Sequence, residues 1–237
     1  MCASFDSGSE STLGGPGQSL SDSRISSDSP DMDLALGELH DALRQRQVQL
    51  ICAAYEACRR AARRAGIDDV MEAAQASCDQ PVRPLIVSAY SHRHCFMCNR
   101  GTRLCERCHG TGLDGGSRCP NCEGLGLLEC GFCGATGWAD RAPNPPEIFG
   151  EVLHRQYRHM KDGLEKADAE LKSVLGGGKI APMPRDARLK IVAAVLRLQA
   201  RIRDLIHAQA VPQGEITALE TVTEKLDQKL DLFRAKP

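Results

Sequence analysis

Apolar residues recur with a helical period over two long stretches of the chain and lose that period between them. From Asp33 to Ala65, the residues Leu36, Leu39, Leu43, Leu50, Ala54, Cys58, Ala61 and Ala65 fall three, four or seven positions apart, so one broad apolar face predicts a helix. Gly66 is the expected stop, because glycine accepts the left-handed conformation of a helix C′ residue without steric cost. Asp68 would cap a short second helix running to about Cys78. Pro81 and Pro84 interrupt the pattern, and the run Leu85-Ile86-Val87-Ser88-Ala89-Tyr90 reads as an extended lead into the next region.

Beyond Trp138, the prolines Pro143, Pro145 and Pro146 predict a stiff linker. Three apolar stripes follow. The first is Phe149, Leu153, Gln156, Met160, Leu164, Ala167, Leu171 and Val174, close to a heptad with one polar member. Gly176-Gly177-Gly178 is the expected end of its helix. The second stripe, in a helix from about Arg185, is Val192, Val195, Leu198, Ile202, Leu205 and Ala208. Pro212 and Gly214 separate it from the third, Leu219, Val222, Leu226, Leu230 and Phe233. Short connections between such stripes predict an antiparallel helical bundle or coiled-coil hairpin, and the same stripes would suit a homodimer. The expected organisation is a disordered Ser-, Gly- and Asp-rich tail over 1–30, a helical segment over 31–80, a cysteine-rich module over 81–140, a Pro-rich linker over 141–147 and the helices of 148–237. The expected fold class is therefore mostly α with a small two-zinc β-hairpin module.

Composition agrees with this reading. Aromatic residues make up only 4% of the 237 residues, fewer than a large mixed core would use. The formal net charge of -1 argues against a dedicated nucleic-acid binder, which carries a strong basic excess. No apolar run approaches the roughly 20 residues that span a bilayer, so no membrane partner is expected. The first segment carries Asp6, Glu10, Asp22, Asp28, Asp31 and Asp33 and no basic start followed by an apolar run, unlike secretory or transit peptides. The expectation is a cytoplasmic protein in a reducing compartment, where cysteines bind metal rather than form disulfides.

The chain has 12 cysteines. Eight form the pairs Cys95/Cys98, Cys105/Cys108, Cys119/Cys122 and Cys130/Cys133. Two intervening residues let both thiolates of a pair reach one metal from a tight turn, and a structural zinc takes four such ligands. Four pairs thus supply two complete sites, for two Zn2+ ions. Cys2, Cys52, Cys58 and Cys78 lie outside the pairs, and cysteine in a helix is most often a small buried hydrophobe. Glycines follow the pairs in register. Cys105 to Gly112 and Cys119 to Gly126 share the form C-x-x-C-x-G-x-G, Cys130 to Gly137 keeps the last glycine, and Cys95 to Gly101 is the most diverged copy. Glycine can turn the backbone just past the second cysteine and aim amides at the thiolates.

From His92 to Trp138 this repeat resembles the cysteine-rich domain of the DnaJ chaperone family, and also stand-alone relatives that carry the domain without a J-domain, such as Rubisco assembly factors of the bundle-sheath-defective type. The resemblance implies an extended, V-shaped β-hairpin with nested zinc pairing. Cys95, Cys98, Cys130 and Cys133 would hold an outer zinc; Cys105, Cys108, Cys119 and Cys122 would hold an inner one. Asp114-Gly115-Gly116 suits the hairpin tip. The intervals between pairs are shorter than is usual in DnaJ, which implies a compact V. The J-domain signature His-Pro-Asp is missing from the sequence, the nearest match being Ser29-Pro30-Asp31, so stimulation of a heat-shock ATPase is not expected.

Other uses of the same residues stay open at this point. The cysteines could hold an iron–sulfur cluster, or Cys130/Cys133 could act as a thiol–disulfide oxidoreductase, which needs a free thiolate. Cys105 to His109 matches the c-type haem attachment pattern, but haem there would strand Cys119 and Cys122. His92, His94 and His109 read as surface residues beside eight sulfurs. Nucleic acid is the rival partner: Arg93, Arg100, Arg103, Arg107 and Arg118 decorate the module, Glu106, Asp114, Glu123 and Glu129 nearly cancel them, and the run Arg59, Arg60, Arg63 and Arg64 reads as a solvated helix face. No phosphate-binding loop, nucleophile elbow or His-Glu-x-x-His motif occurs, so an enzyme is not expected. Phe96, Leu104, Leu125, Leu127, Leu128, Phe132 and Trp138 are more apolar surface than so small a module buries. Of these, Phe96, Leu125, Leu127, Phe132 and Trp138 are the candidate contacts for a polypeptide client or partner. The expected function is a zinc-binding chaperone-like or scaffold protein.

Overall fold

The computed structural model of the protein describes residues 30–141, 143–175 and 182–234. The tail with Cys2, the glycine triplet 176–178, Ala142 and the last three residues lie outside the described residues. The described chain is mostly helical, with two small antiparallel ladders near the cysteines.

The first apolar stripe forms two helices rather than one, α1 (Pro30–Gln45) and α2 (Val48–Ala65). The break falls at Arg46, whose φ of 53° is left-handed. It shifts the phase of the stripe, so Ile51, Cys52, Tyr55 and Cys58 face the core while Leu50 turns outward. Gly66 ends α2 at φ 69°, as its position predicts. Asp69, one residue beyond the predicted cap, accepts the Glu72 amide at 2.9 Å and starts α3 (Val70–Ala76). The segment predicted as extended is instead helix α4 (Val82–Ser91). Pro84 does not prevent it, because Pro84 sits in the first turn, where backbone N–H groups have no intrahelical acceptor. Val82, Ile86 and Tyr90, four residues apart, bury one face of α4. Tyr90 donates its hydroxyl to Glu56 Oε1 at 2.9 Å and Tyr55 donates to Glu147 Oε1 at 3.0 Å, so each buried phenol finds an acceptor on the core's rim.

A 3-10 turn at Pro146–Ile148 leads into α5 (Phe149–Val174). The turn is pinned to the N-terminal helices: Ile148 is in their core, and Arg83 of α4 bonds both Glu147 O and Glu151. The 26 residues of α5 span about 39 Å at 1.5 Å per residue. Its start packs with α1–α4, and the rest packs against α6 (Arg185–His207). A 3-10 turn at Gln213–Glu215 precedes α7 (Ile216–Phe233), which lies against α6. Leu171 near the end of α5 shares a cluster with Ile191 near the start of α6 and Leu230 near the end of α7. Met160 shares another with Leu205 and Leu219. Neighbours in this layer therefore run antiparallel.

Between α4 and α5 the chain forms β1 (Thr102–Leu104), β2 (Leu113–Asp114), β3 (Ser117–Arg118) and β4 (Leu127–Glu129). β1 pairs with β4, with Leu104 opposite Leu127, and β2 pairs with β3. Gly115 and Gly116, both at positive φ, make the two-residue turn at the tip. A bridge between His94 and Trp138 closes the open end. Along one axis the module thus alternates bridge, outer cysteines, β1/β4, inner cysteines and β2/β3.

Candidate metal centre

Every Cys-x-x-Cys loop ends in the same local device. The second cysteine's sulfur accepts a backbone amide three or four residues on: Gly101 to Cys98 at 3.2 Å, Gly112 to Cys108 at 3.3 Å, Gly126 to Cys122 at 3.1 Å and Gly137 to Cys133 at 3.3 Å. The chain turns back far enough for this because residues just past each second cysteine adopt positive φ. These amides offset thiolate charge and fix the sulfur's orientation.

The knuckles then pack in pairs, back to back. The first cysteine of each donates its amide to the last glycine carbonyl of its partner: Cys95 to Gly137 at 3.0 Å and Cys130 to Gly101 at 2.9 Å, then Cys105 to Gly126 at 3.0 Å and Cys119 to Gly112 at 2.9 Å. Glycine is required at such a contact. A Cβ on Gly126 would lie 2.5 Å from the Gly110 carbonyl oxygen.

This pairing gathers two sets of four sulfurs, Cys95/Cys98/Cys130/Cys133 and Cys105/Cys108/Cys119/Cys122, each set within 4.8 Å. The sets are nested, first pair with fourth and second with third. Sulfur separations are 3.8 Å for Cys98–Cys133, 3.9 Å for Cys105–Cys119 and 3.6 Å for Cys108–Cys122. A disulfide would need about 2.05 Å. A tetrahedron with metal–sulfur bonds of about 2.3 Å has edges of about 3.8 Å. The residues therefore fit a tetrahedral zinc ion in each set, and four thiolates make a closed structural donor set with no position left for substrate. The thiols already share protons unequally. Burial pushes Cys122 up to about 12 and Cys98 likewise. Burial acts the same way on Cys108, but the Gly112 amide and neighbouring sulfurs outweigh it and bring the thiol down to about 7. Metal binding needs all four as thiolates, and so releases protons.

Arginines join the module to the helical layer. Arg197 donates to Arg100 O at 3.1 Å and Arg201 to Thr136 O at 2.9 Å, on the two outer knuckles. Arg185 donates to His109 O, Arg188 to Gly110 O and Thr111 O at 3.1 Å, and Arg234 to Glu123 O at 2.9 Å, on the two inner knuckles. Arg201 also lies over the Trp138 ring, 4.3 Å from its centroid. Two zinc centres with four thiolates apiece would carry about -2 each, two positive charges against four negative, and this guanidinium row is placed to offset them. Sequence reasoning missed the row because its arginines sit on α6 and just beyond α7, far from the cysteines in sequence. The only signal for the four on α6 was their spacing along that helix.

The predicted client-contact residues separate into two groups. Phe96 and Phe132 stand exposed, at 81% and 62% of full accessibility, with ring centroids 5.4 Å apart in an edge-on arrangement. Leu125, Leu127 and Trp138 do not join them. Leu125 and Leu127 are buried in one cluster with Val192, Leu196, Leu226 and Leu230, and Trp138 is buried beside Tyr157 and Ile202. Their apolar surface is consumed in docking the module, which corrects the expectation that it faces a client. A groove of about 590 Å³ runs beside the phenylalanine pair, between the start of α2 at Val48 and Gln49, the residues His92 to Phe96, and the residues Ala139, Asp140 and Pro143. Four of the nine arginines weighed for nucleic acid bond to protein partners: Arg59 pairs with Glu56 and Glu147, Arg64 with Asp31, Arg107 with Asp114, and Arg93 donates to Asp140 O and Asn144. His92 lies against His159 with ring centroids 4.5 Å apart and planes tilted by 52°, and it belongs to neither sulfur set. Among the described residues no helix is long and apolar enough to cross a membrane. The chain matches no protein-family model, no curated protein and no solved structure.

Proposed function

We propose that this protein is a non-catalytic, zinc-structured scaffold that binds extended, apolar polypeptide through Phe96 and Phe132. The observation that carries this reading is the exposed aromatic pair. Two large rings face solvent at the end of the module whose Leu125, Leu127 and Trp138 are buried, and exposed apolar patches beside a groove mark interaction sites. A closed set of four thiolates supports a structural rather than catalytic use of the metal. The repeat's likeness to the DnaJ cysteine-rich domain supports polypeptide as the ligand and a chaperone-like role, in a reducing compartment. Nucleic acid is the weaker reading, because the chain carries no basic excess and its net charge is -1.

The test is equilibrium binding of a fluorescein-labelled, permanently unfolded carboxymethylated lactalbumin to the full chain, followed by anisotropy. The double variant Phe96→Ser/Phe132→Ser should bind at least about thirtyfold more weakly, the scale of losing an aromatic hot spot, with two zincs retained. Unchanged binding by the double variant refutes the site.

A further inference from the structure

The two sulfur clusters differ in ways that divide labour between them. All four inner cysteines are buried. Leu125, one residue short of the Gly126 amide that bonds Cys122, is plugged into the core with α6 and α7, and Arg188 reaches carbonyls of both inner knuckles, Gly110 and Gly124. The helices thus cover one side of the inner cluster, while Glu106, Arg107, Pro120 and Asn121 within its loops are exposed on the other. In the outer cluster, Cys98 and Cys133 are each partly exposed and face one another at 3.8 Å. Solvent access of this kind governs how readily ligands exchange at a metal.

The outer cluster also holds the aromatic pair. Phe96 lies between Cys95 and Cys98, and Phe132 between Cys130 and Cys133. At their exposures, packing beneath the rings does not fix them; the four-residue loops do. Each loop is anchored at both ends by sulfurs of the outer set. The amide bonds from Cys95 and Cys130 hold the near end of each loop and those from Gly101 and Gly137 to the Cys98 and Cys133 sulfurs the far end, so without an ion each loop keeps hydrogen bonds alone.

We propose that the inner metal is a permanent part of the fold, whereas the outer metal is exchangeable and sets the geometry of the Phe96–Phe132 surface, so polypeptide binding there requires an occupied outer site. This rests on the docking role given to the pair above. Loss of the outer ion frees both loops, separates the rings and opens the groove toward Val48, while the helical layer and the inner knuckles stay assembled.

The chain contains a single tryptophan, Trp138, bridged to His94 immediately beside the outer cluster and packed on the helices, so it reports on that site and on its docking but not on the inner cluster. The experiment treats the full-length two-zinc protein with excess EDTA. Zinc release, Trp138 emission, far-ultraviolet dichroism and binding of the labelled lactalbumin are followed together. We expect one zinc to leave at least about tenfold faster than the other. Trp138 emission should change and binding fall in that first phase, with the helical signal unchanged, and one added equivalent of zinc should restore both. Cys133→Ser should hold one zinc and bind like the first-phase product; Cys108→Ser should disturb the dichroism as well. Release of both zincs in a single phase, or full binding after the first has left, overturns the proposal. Phe96→Ala and Phe132→Ala in the two-zinc protein separate the two failures. If they leave binding intact, the docking role falls and this proposal with it. If they weaken binding while the one-zinc protein still binds fully, only the present proposal falls.

Discussion

Replacing Leu127 with alanine tests whether the cysteine module is docked on the helices or stands free. Leu127 retains 8% of its accessibility and packs in one cluster with residues of α6 and α7. Truncation to alanine removes the equivalent of three methylene groups, about 2.4 kcal/mol at roughly 0.8 kcal/mol each. The cavity left between a strand and two helices cannot close fully, which raises the cost to about 3 kcal/mol. With a urea slope of about 2 kcal/mol per molar, the unfolding midpoint should fall by about 1.5 M. The assay is urea unfolding followed by far-ultraviolet dichroism at one buffered free-zinc concentration, since metal bound to the folded state shifts the apparent stability. Leu34→Ala on α1, where the side chain is 66% exposed, is the control and should change stability by less than about 0.5 kcal/mol. A Leu127→Ala cost below about 1 kcal/mol would place the leucine at the surface and refute the docked arrangement.

Arg201→Ala removes the bond to Thr136 O and the stack on Trp138; it should cost about 2 kcal/mol and shift Trp138 emission, and Arg201→Lys should not restore the emission, because an ammonium lacks the flat face that stacks. Gly126→Ala forces a Cβ against the Gly110 carbonyl and should lower affinity for the inner metal by at least about tenfold in chelator competition, whereas Gly115→Ala at the open hairpin tip should leave that affinity unchanged. Zinc affinity should fall as pH falls, by about tenfold per pH unit for each thiol that must lose a proton, and calorimetry in buffers of different ionisation enthalpy should record proton release on binding. Burial pushes the Cys52 and Cys58 thiols up to about 12, so in the zinc-loaded protein iodoacetamide should label Cys78 and leave those two unmodified, as peptide mass mapping would show.

What the sequence disclosed follows from which features are local. The four Cys-x-x-Cys knuckles are complete within a few residues each, so the eight ligands and the turn at Gly115-Gly116 could be read directly, whereas the nested grouping of the pairs came only from the resemblance to the DnaJ cysteine-rich domain. The stripes of α5, α6 and α7 were legible for the same reason: Met160, Leu171, Val192, Ile202 and Leu226 all fall on buried faces. Misreadings arose where a distant partner decides. The run Leu85 to Tyr90 is rich in residues that favour strands, yet α2 and α5 offer α4 a groove for a face with a four-residue repeat. Leu125, Leu127 and Phe132 are equally apolar in the sequence. Only the helices lying over one side of the module send the two leucines inside and leave the phenylalanine out. Arg46 carries no signal that it would take a left-handed conformation and split the first stripe in two.

The nested pair of metal centres is tested most directly by cobalt substitution of the wild-type chain and of the single variants Cys95→Ser and Cys130→Ser. Their visible spectra and metal content would be read together. The account predicts two tetrahedral thiolate-bound cobalt ions in the wild type. Each variant should lose one, and the surviving spectrum should be the same in both, because Cys95 and Cys130 serve one centre. Different survivors in the two variants, or fewer than two tetrahedral ions in the wild type, would contradict it.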